Sequence, residues 1–366
     1  MRKMYRSRSQ QFTSQQTGKT GIVPGNMRIL LLMFAMLISM ILISGCEDDA
    51  ATGPNTPGIN PTAWVVNSIG ETLAKVDLVS GQVVTNVIAL NSAPNDIVIS
   101  ENLAYVVNSL SNNVQVIDLN GQETIGTIEI LQGIDPYYIC LDGQERAFVS
   151  NLLTGNVSVL DLVSGTEAGI ISTGGIPEGV CVSGDYLYVT DVVDFLGDWQ
   201  PGKVYAYDLE TLTLQGTATV GINPQIVKMG PDGKLHVVCT GDYGATVGQV
   251  DIVDPVTMTV EQSLTLGGTP GSLVFTSAGI AYVGGGGWAG DGSVYSYNAN
   301  SYEILHDSND PIIVPSPALG LSVTSVDEIL VCCFNSDELV KLDADGTLLT
   351  AYNVGDGPLV VGIQTP

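Results

Sequence analysis

Three stretches of this chain hold residues of the types that grip a ligand. The first contains Asp191, Asp194, Phe195, Asp198 and Trp199. The second contains Asp242 and Tyr243, and the third, inside a glycine run, Trp288 and Asp291. Aromatic rings offer flat apolar faces to a sugar, a peptide or a cationic group. Carboxylates accept hydrogen bonds from hydroxyls or pair with positive charge, and neighbouring glycines let a ligand approach the backbone. Two of the three tryptophans lie here; the third, Trp64, reads as an ordinary strand residue. The competing role is architectural, with Phe195 and Trp199 folding back to cap the strands they join.

Catalytic sets are sparse. There are two histidines, His236 and His306, with no His-x-x-x-His and no Cys-x-x-Cys-His. His236 falls inside a hydrophobic strand and is expected to pack; His306 is expected at an outer rim. Nothing marks a Ser-His-Asp triad. Of six cysteines, Cys46 stands apart near the amino terminus. Cys140, Cys181, Cys239, Cys332 and Cys333 read as small buried hydrophobes, the adjacent pair pointing to opposite faces. Asp96, Glu178 and Asn95, at or near strand starts, are the candidates for holding a Ca²⁺ by carboxylates.

A repeat positions all of these residues. A Pro-containing turn leads into a hydrophobic strand, then into one like Leu103–Asn108 (Leu-Ala-Tyr-Val-Val-Asn), then into one like Val114–Leu119 (Val-Gln-Val-Ile-Asp-Leu). The residue equivalent to Ala104 recurs at Ala63, Ala147, Leu187, Leu235, Ala281 and Ile329, at steps of 40–48 residues. Several short strands per period of this length are the spacing of a propeller blade. The acid closing the third strand (Asp77, Asp118, Asp161, Asp208, Asp254 and Asp343, with Asn298 in the sixth unit) suits turn formation through its short side chain. Between the Asn108 and Asp118 positions the distance is 10 residues in four units but 17, 15 and 13 in the fourth, fifth and sixth. These three insertions carry the aromatic and acidic stretches, and antiparallel connectivity puts them all on one face.

Seven Pro turns occur, but none precedes Ala63. The orphan segment Pro358–Ile363 at the carboxyl end is therefore expected to complete the first blade. The expectation is an all-β, seven-bladed propeller of four-stranded antiparallel blades, over residues 62–366. Tyr105-Val106-Val107-Asn108 and Tyr188-Val189-Thr190-Asp191, with their partner strands, resemble the YVTN-type repeats of YncE-like secreted and surface propellers. That resemblance implies the fold and carries no catalytic motif. Related propellers include lactonases and quinoprotein or haem d1 enzymes.

The first 45 residues hold six bases and no acid, with an apolar core from Ile29 to Ile43. This is the pattern of a secretory signal peptide. Ile43-Ser44-Gly45-Cys46 resembles the bacterial lipobox, which implies lipidation of Cys46. Met27-Arg28 is an alternative start. Residues 46–61, rich in Pro and Gly, read as a flexible tether. Beyond Cys46 six bases face 38 acids, a net charge of −32. Such a surface argues against nucleic acid and suits solubility, salty surroundings or a cation-attracting face. The expected function is a non-catalytic, lipid-anchored cell-envelope propeller, single-copy, at the periplasmic face of the outer membrane or the cell surface. It would bind or scaffold a protein or glycan through the loop-rich face without a cofactor. The alternative is a propeller hydrolase, lactonase-like or lyase-like, using a carboxylate-bound divalent cation.

Overall fold

The computed structural model describes residues 60–193, 199–285 and 292–365. Their strands form seven antiparallel sheets, each starting with an innermost strand: Pro358–Gln364, Pro94–Ser100, Pro136–Leu141, Ile176–Ser183, Pro224–Met229, Ser272–Phe275 and Ala318–Val323. The seven sheets are the blades of a propeller whose innermost strands line a central channel.

Second strands such as Leu103–Asn108 and Ile329–Cys333 are almost wholly buried, because neighbouring blades cover both sheet faces. β-branched and aromatic side chains fill that space well. Each full burial of a Val, Leu or Ile contributes about 1.5–3 kcal/mol. The apolar clusters join blades: Trp64, Val66 and Leu73 of the first pack with Ile97, Val106 and Ile117 of the second. Outer strands such as Val83–Ala89 are mostly exposed, with Val84, Thr85, Asn86 and Ala89 facing solvent. Cys332 packs toward the first blade and Cys333 toward the sixth, on opposite faces of their sheet.

Closure follows the expected route. The terminal strand pairs with Thr62–Asn67, from Thr62 opposite Gln364 to Val66 opposite Val360. The Trp64 indole Nε1 donates to Gln364 Oε1 at 3.1 Å, and Gln364 Nε2 donates to Asn102 Oδ1 at 2.9 Å. One buried side chain thus stitches the chain's end to its first strand and to the second blade, leaving no free edge there.

The repeated acid is a turn former in every blade. Asp77 Oδ1 accepts from Val79 N and Ser80 N, Asp254 Oδ1 from Val256 N and Thr257 N, and Asn298 Oδ1 from Asn300 N and Ser301 N. The sixth blade departs from the simple four-strand pattern. Its outer strand is split into Ile304–His306 and Ile312–Val314, both paired to Gly292–Asn298. An Asp307 turn, bonded through Asn309 N, interrupts the outer edge.

Candidate functional site

Register decides which face carries the site. Pro94 lies opposite Asn108, Pro136 opposite Asn151, Pro177 opposite Asp191 and Pro224 opposite Cys239. The Pro end of each innermost strand therefore shares a face with the loop that follows the second strand. That face carries one mouth of the channel and, among the described residues of the insertions, Trp199 and the fifth-blade loop with Asp242 and Tyr243. The residue before the Pro is held in the left-handed region at Ala93, Asp135, Asn223 and Gly357. Asp, Asn and Gly tolerate this conformation best.

The structure brings two of the sequence-derived residues together. The Trp199 and Tyr243 rings meet edge to face, 5.9 Å between centroids at 64°. Gln225 Nε2, on the innermost strand of the fifth blade, donates to Tyr243 Oη at 3.0 Å. Loops of the fourth and fifth blades thereby form one aromatic ledge joined to the channel rim. Tyr243 keeps 36% of its surface exposed, and burial of its hydroxyl pushes the phenol up to about 12.

Asp242 and Asp191 have other work. Asp242 Oδ1 accepts from Gly244 N at 2.8 Å and Thr246 N at 2.9 Å, folding its own loop; these bonds hold its carboxyl below the usual range. Asp191 is 1% exposed and occupies the place of Asn67, Asn108 and Asn151 in other blades. Its Oδ1 accepts from Ile176 N at 3.1 Å and lies against Gly175, where any Cβ would sit 1.8 Å away. It braces the preceding loop, and burial pushes its carboxyl up. Asp194, Phe195, Asp198, Trp288 and Asp291 lie outside the described residues.

Glu178 was only a cation-ligand candidate from sequence. It sits at the mouth, one residue after Pro177, and is 4% exposed. Its Oε2 is buried without a hydrogen-bond partner. Burial, then the Asp135 and Asp191 carboxylates, push Glu178 up to about 8. Tyr138 and Tyr243 lie within its field. Deeper in the channel, Asp96 Oδ1 accepts from Ile97 N at 2.9 Å and Oδ2 from Ile139 N at 3.0 Å. Burial outweighs those bonds and Lys228, pushing Asp96 up to about 7. Asn95 is spent on Ser109, its Nδ2 donating to that Oγ.

Cys140, Cys181 and Lys228 occupy one register in three successive blades, opposite Phe148, Tyr188 and His236. Burial pushes both thiols up and the amine down. Cys140 and Cys181 correct the expectation of five buried cysteines: both are half-buried, because an innermost strand has channel on one side. Cys239, Cys332 and Cys333 are buried as expected, and all five thiols are free. Tyr138, Gln225 and Lys228 escaped the sequence reading. Only Lys228 carried a signal, a charged side chain at a register where other blades place Val98, Cys140, Cys181 and Val274. Among the described residues no group of three His, Cys, Asp or Glu side chains converges as a metal site would.

His236 does pack, between the fifth and sixth blades. Its Nδ1 meets Tyr297 Oη at 2.7 Å and its Nε2 meets Asp232 Oδ1 at 3.0 Å, while the Tyr302 hydroxyl donates to Asp232 Oδ2 at 2.8 Å. His306 lies on the outer strand with Nδ1 3.0 Å from the Asp310 carbonyl.

No family model and no curated protein sequence matches the chain. Solved structures do. A functionally unknown protein from Desulfotomaculum acetoxidans is similar with a TM-score of 0.64 at 13% identity, covering 84% of this chain and 99% of that one. Hydrazine synthase of Kuenenia stuttgartiensis aligns with a TM-score of 0.61 at 16% identity, covering 75% of this chain and 95% of that one. Apo AztD from Citrobacter koseri aligns at 0.55 and 12% identity, covering 84% and 99%. At such identities the likeness establishes the fold: this chain is a seven-bladed β-propeller.

Proposed function

We propose that this chain is a non-catalytic, lipid-anchored propeller of the cell envelope that binds or scaffolds a protein or glycan through the face bearing the fourth-to-sixth-blade insertions. The observation that carries the reading is the Trp199–Tyr243 ledge, tied by Gln225 to the channel rim. An exposed tyrosine in the left-handed region at a loop tip is costly to keep for packing alone. Interface anchors are enriched in Trp and Tyr for their large, rigid, amphipathic surfaces. The signal-like amino terminus and the lipobox-like Ile43-Ser44-Gly45-Cys46 support an anchor at Cys46 with residues 47–61 as spacer.

The hydrolase or lyase reading has less to stand on. Both Asp96 carboxylate oxygens already accept backbone N–H groups, and burial favours the protonated forms of Asp96 and Glu178. Neither state suits a hard divalent cation, which wants several ionised oxygen ligands. The protein released from its anchor should be screened on a glycan array and against envelope extract, beside Trp199→Ala/Tyr243→Ala. Binders lost by the double variant support the reading; a full set of binders indifferent to it overturns it. Cys46→Ser should move the protein from the membrane to the soluble fraction, and unchanged membrane association would remove the anchor.

A further inference from the structure

We propose that the channel mouth beside Tyr243 binds an organic ammonium group, with Glu178 as counter-ion and the Trp199–Tyr243 pair as aromatic wall. The inference rests on the reading of this face as the binding face and names the chemistry it recognises.

The first support is the Glu178 carboxyl itself, 4% exposed with Oε2 lacking a partner. A buried carboxyl oxygen without a hydrogen-bond partner calls for one. An ammonium brings three N–H donors and a positive charge in a single group. The second support is the neighbourhood. The Tyr243 and Trp199 rings give a cation a π face. The groups facing Glu178 are Asp135 from the turn before the third blade's innermost strand, Asp191 from its own blade, and Tyr138 and Tyr243. None of these is a cation. Two bases act on the surrounding carboxyls: Lys203, whose Nζ stands 6.0 Å from the Tyr205 ring centroid, acts on Asp191, and Lys228 on Asp96, while only carboxylates act on Glu178. The third support is the charge of −32 beyond Cys46, which raises the local concentration of cations.

A metal ion fits less well. Asp242 is committed to its loop, Asp191 Oδ1 to Ile176 N and Asp96 to two backbone amides, and among the described residues no three carboxylates converge on one point as a metal site would require. Binding has a proton balance. The Glu178 carboxyl, pushed up by burial, gives its proton to the buffer as the ammonium arrives, and a carboxylate–ammonium pair forms. At pH 7 a group titrating near 8 is about nine-tenths protonated, so release should approach one proton per site.

The test is calorimetric titration of the folded protein at pH 7, in two buffers of different ionisation enthalpy. The probes are putrescine, the lysine side chain as N-acetyl-lysine amide, neutral 1-butanol and Ca²⁺. Saturable binding of either amine, with proton release and at least tenfold weakening in Glu178→Gln, is the expected result. Which amine binds more tightly tells a free polyamine from a basic peptide. Trp199→Ala, on the open side, should weaken binding severalfold without touching the buried acid. Amines that fail to bind, or that bind equally to Glu178→Gln, overturn the inference, as does Ca²⁺ binding in their place. Amine failure alongside a partner that Trp199→Ala/Tyr243→Ala loses would sink this inference alone. Amine binding through Glu178 alongside a partner indifferent to that double variant would sink only the broader reading.

Discussion

Replacing Glu178 by Gln should stabilise the protein, and only at the upper end of the pH range. The Glu178 carboxyl moves from 4.5 to about 8, through burial first and then Asp135 and Asp191. Each tenfold in proton affinity is worth about 1.4 kcal/mol, so keeping this carboxylate ionised inside the fold costs at most about 5 kcal/mol. The folded-state value lies above the unfolded one. Between pH 4.5 and 8 the native state therefore holds a proton that the unfolded chain has released, and stability falls as pH rises through that window. Glutamine has the same shape, makes the same packing contacts and cannot ionise. The difference between variant and wild type should be near zero at pH 4.5 and reach about 2–5 kcal/mol above pH 8, the lower end allowing for relaxation and water entry. A propeller of about 300 residues has an unfolding entropy of about 0.6 kcal/mol/K, so the melting point should rise by about 3–8 °C. Urea unfolding at pH 5, 6.5 and 8.5 measures this directly, because titrating groups remote from Glu178, unlike Asp135 and Asp191, cancel in the comparison. Parallel stability curves for the two proteins would refute the buried, unpartnered carboxyl. A stabilising substitution that abolishes ligand binding is the trade-off expected where a site is held ready at the expense of the fold.

Other perturbations reach different parts of the molecule. Gln364→Leu removes the acceptor of the buried Trp64 indole and the donor to Asn102, and should cost about 2–4 kcal/mol, or about 3–6 °C, in thermal unfolding; a change under 1 °C would mean that closure does not depend on this stitch. His236 is held neutral, its imidazole pushed down by burial against the opposing pull of Asp232. Its folded value lies below the unfolded one, so stability should be full above pH 6.5 and be lost as pH falls below it. His236→Phe should flatten that acid slope while losing about 1–3 kcal/mol at pH 8, read by urea titration. A small thiol reagent should modify two of the five described cysteines, Cys140 and Cys181, well before the buried three, and mass spectrometry of peptides would expose any other order. Trp199→Ala/Tyr243→Ala should cost no more than about 1.5 kcal/mol, the scale of an edge-to-face pair, and a loss above about 3 kcal/mol would recast the pair as packing.

The fold was legible because every blade repeats the same solution to the same packing problem. Two covered sheet faces demand runs like Tyr105-Val106-Val107-Asn108, and the turn acid after the third strand marks each blade's boundary. The missing Pro turn before Ala63 even pointed to the pairing of Pro358–Gln364 with the first blade. The split outer strand of the sixth blade was not legible, because an edge strand faces solvent and its sequence is weakly constrained. The site was legible in part. Insertion lengths pointed to the face at the Pro ends of the innermost strands, and residue type pointed to Trp199 and Tyr243, whose rings meet there. Residue type misread Asp191 and Asp242, whose carboxylates serve neighbouring backbone N–H groups, a role that only coordinates reveal. It also undervalued Glu178, since a single acid after a proline looks like any strand-start residue until its burial is known. Lys228 was hidden in an innermost strand, at a register that holds Val98, Cys140, Cys181 and Val274 in other blades.

Site-directed photo-crosslinking in the producing cells asks which face meets a partner. A photoreactive residue is placed at Thr246, in the fifth-blade loop beside Tyr243, or at Val326, an exposed turn residue between the first and second strands of the seventh blade, on the opposite face. The loop-face reading predicts a discrete adduct from position 246, abolished by Trp199→Ala/Tyr243→Ala, and none from position 326. Adducts from position 326 alone, or equal adducts from both faces that survive the double substitution, would contradict it.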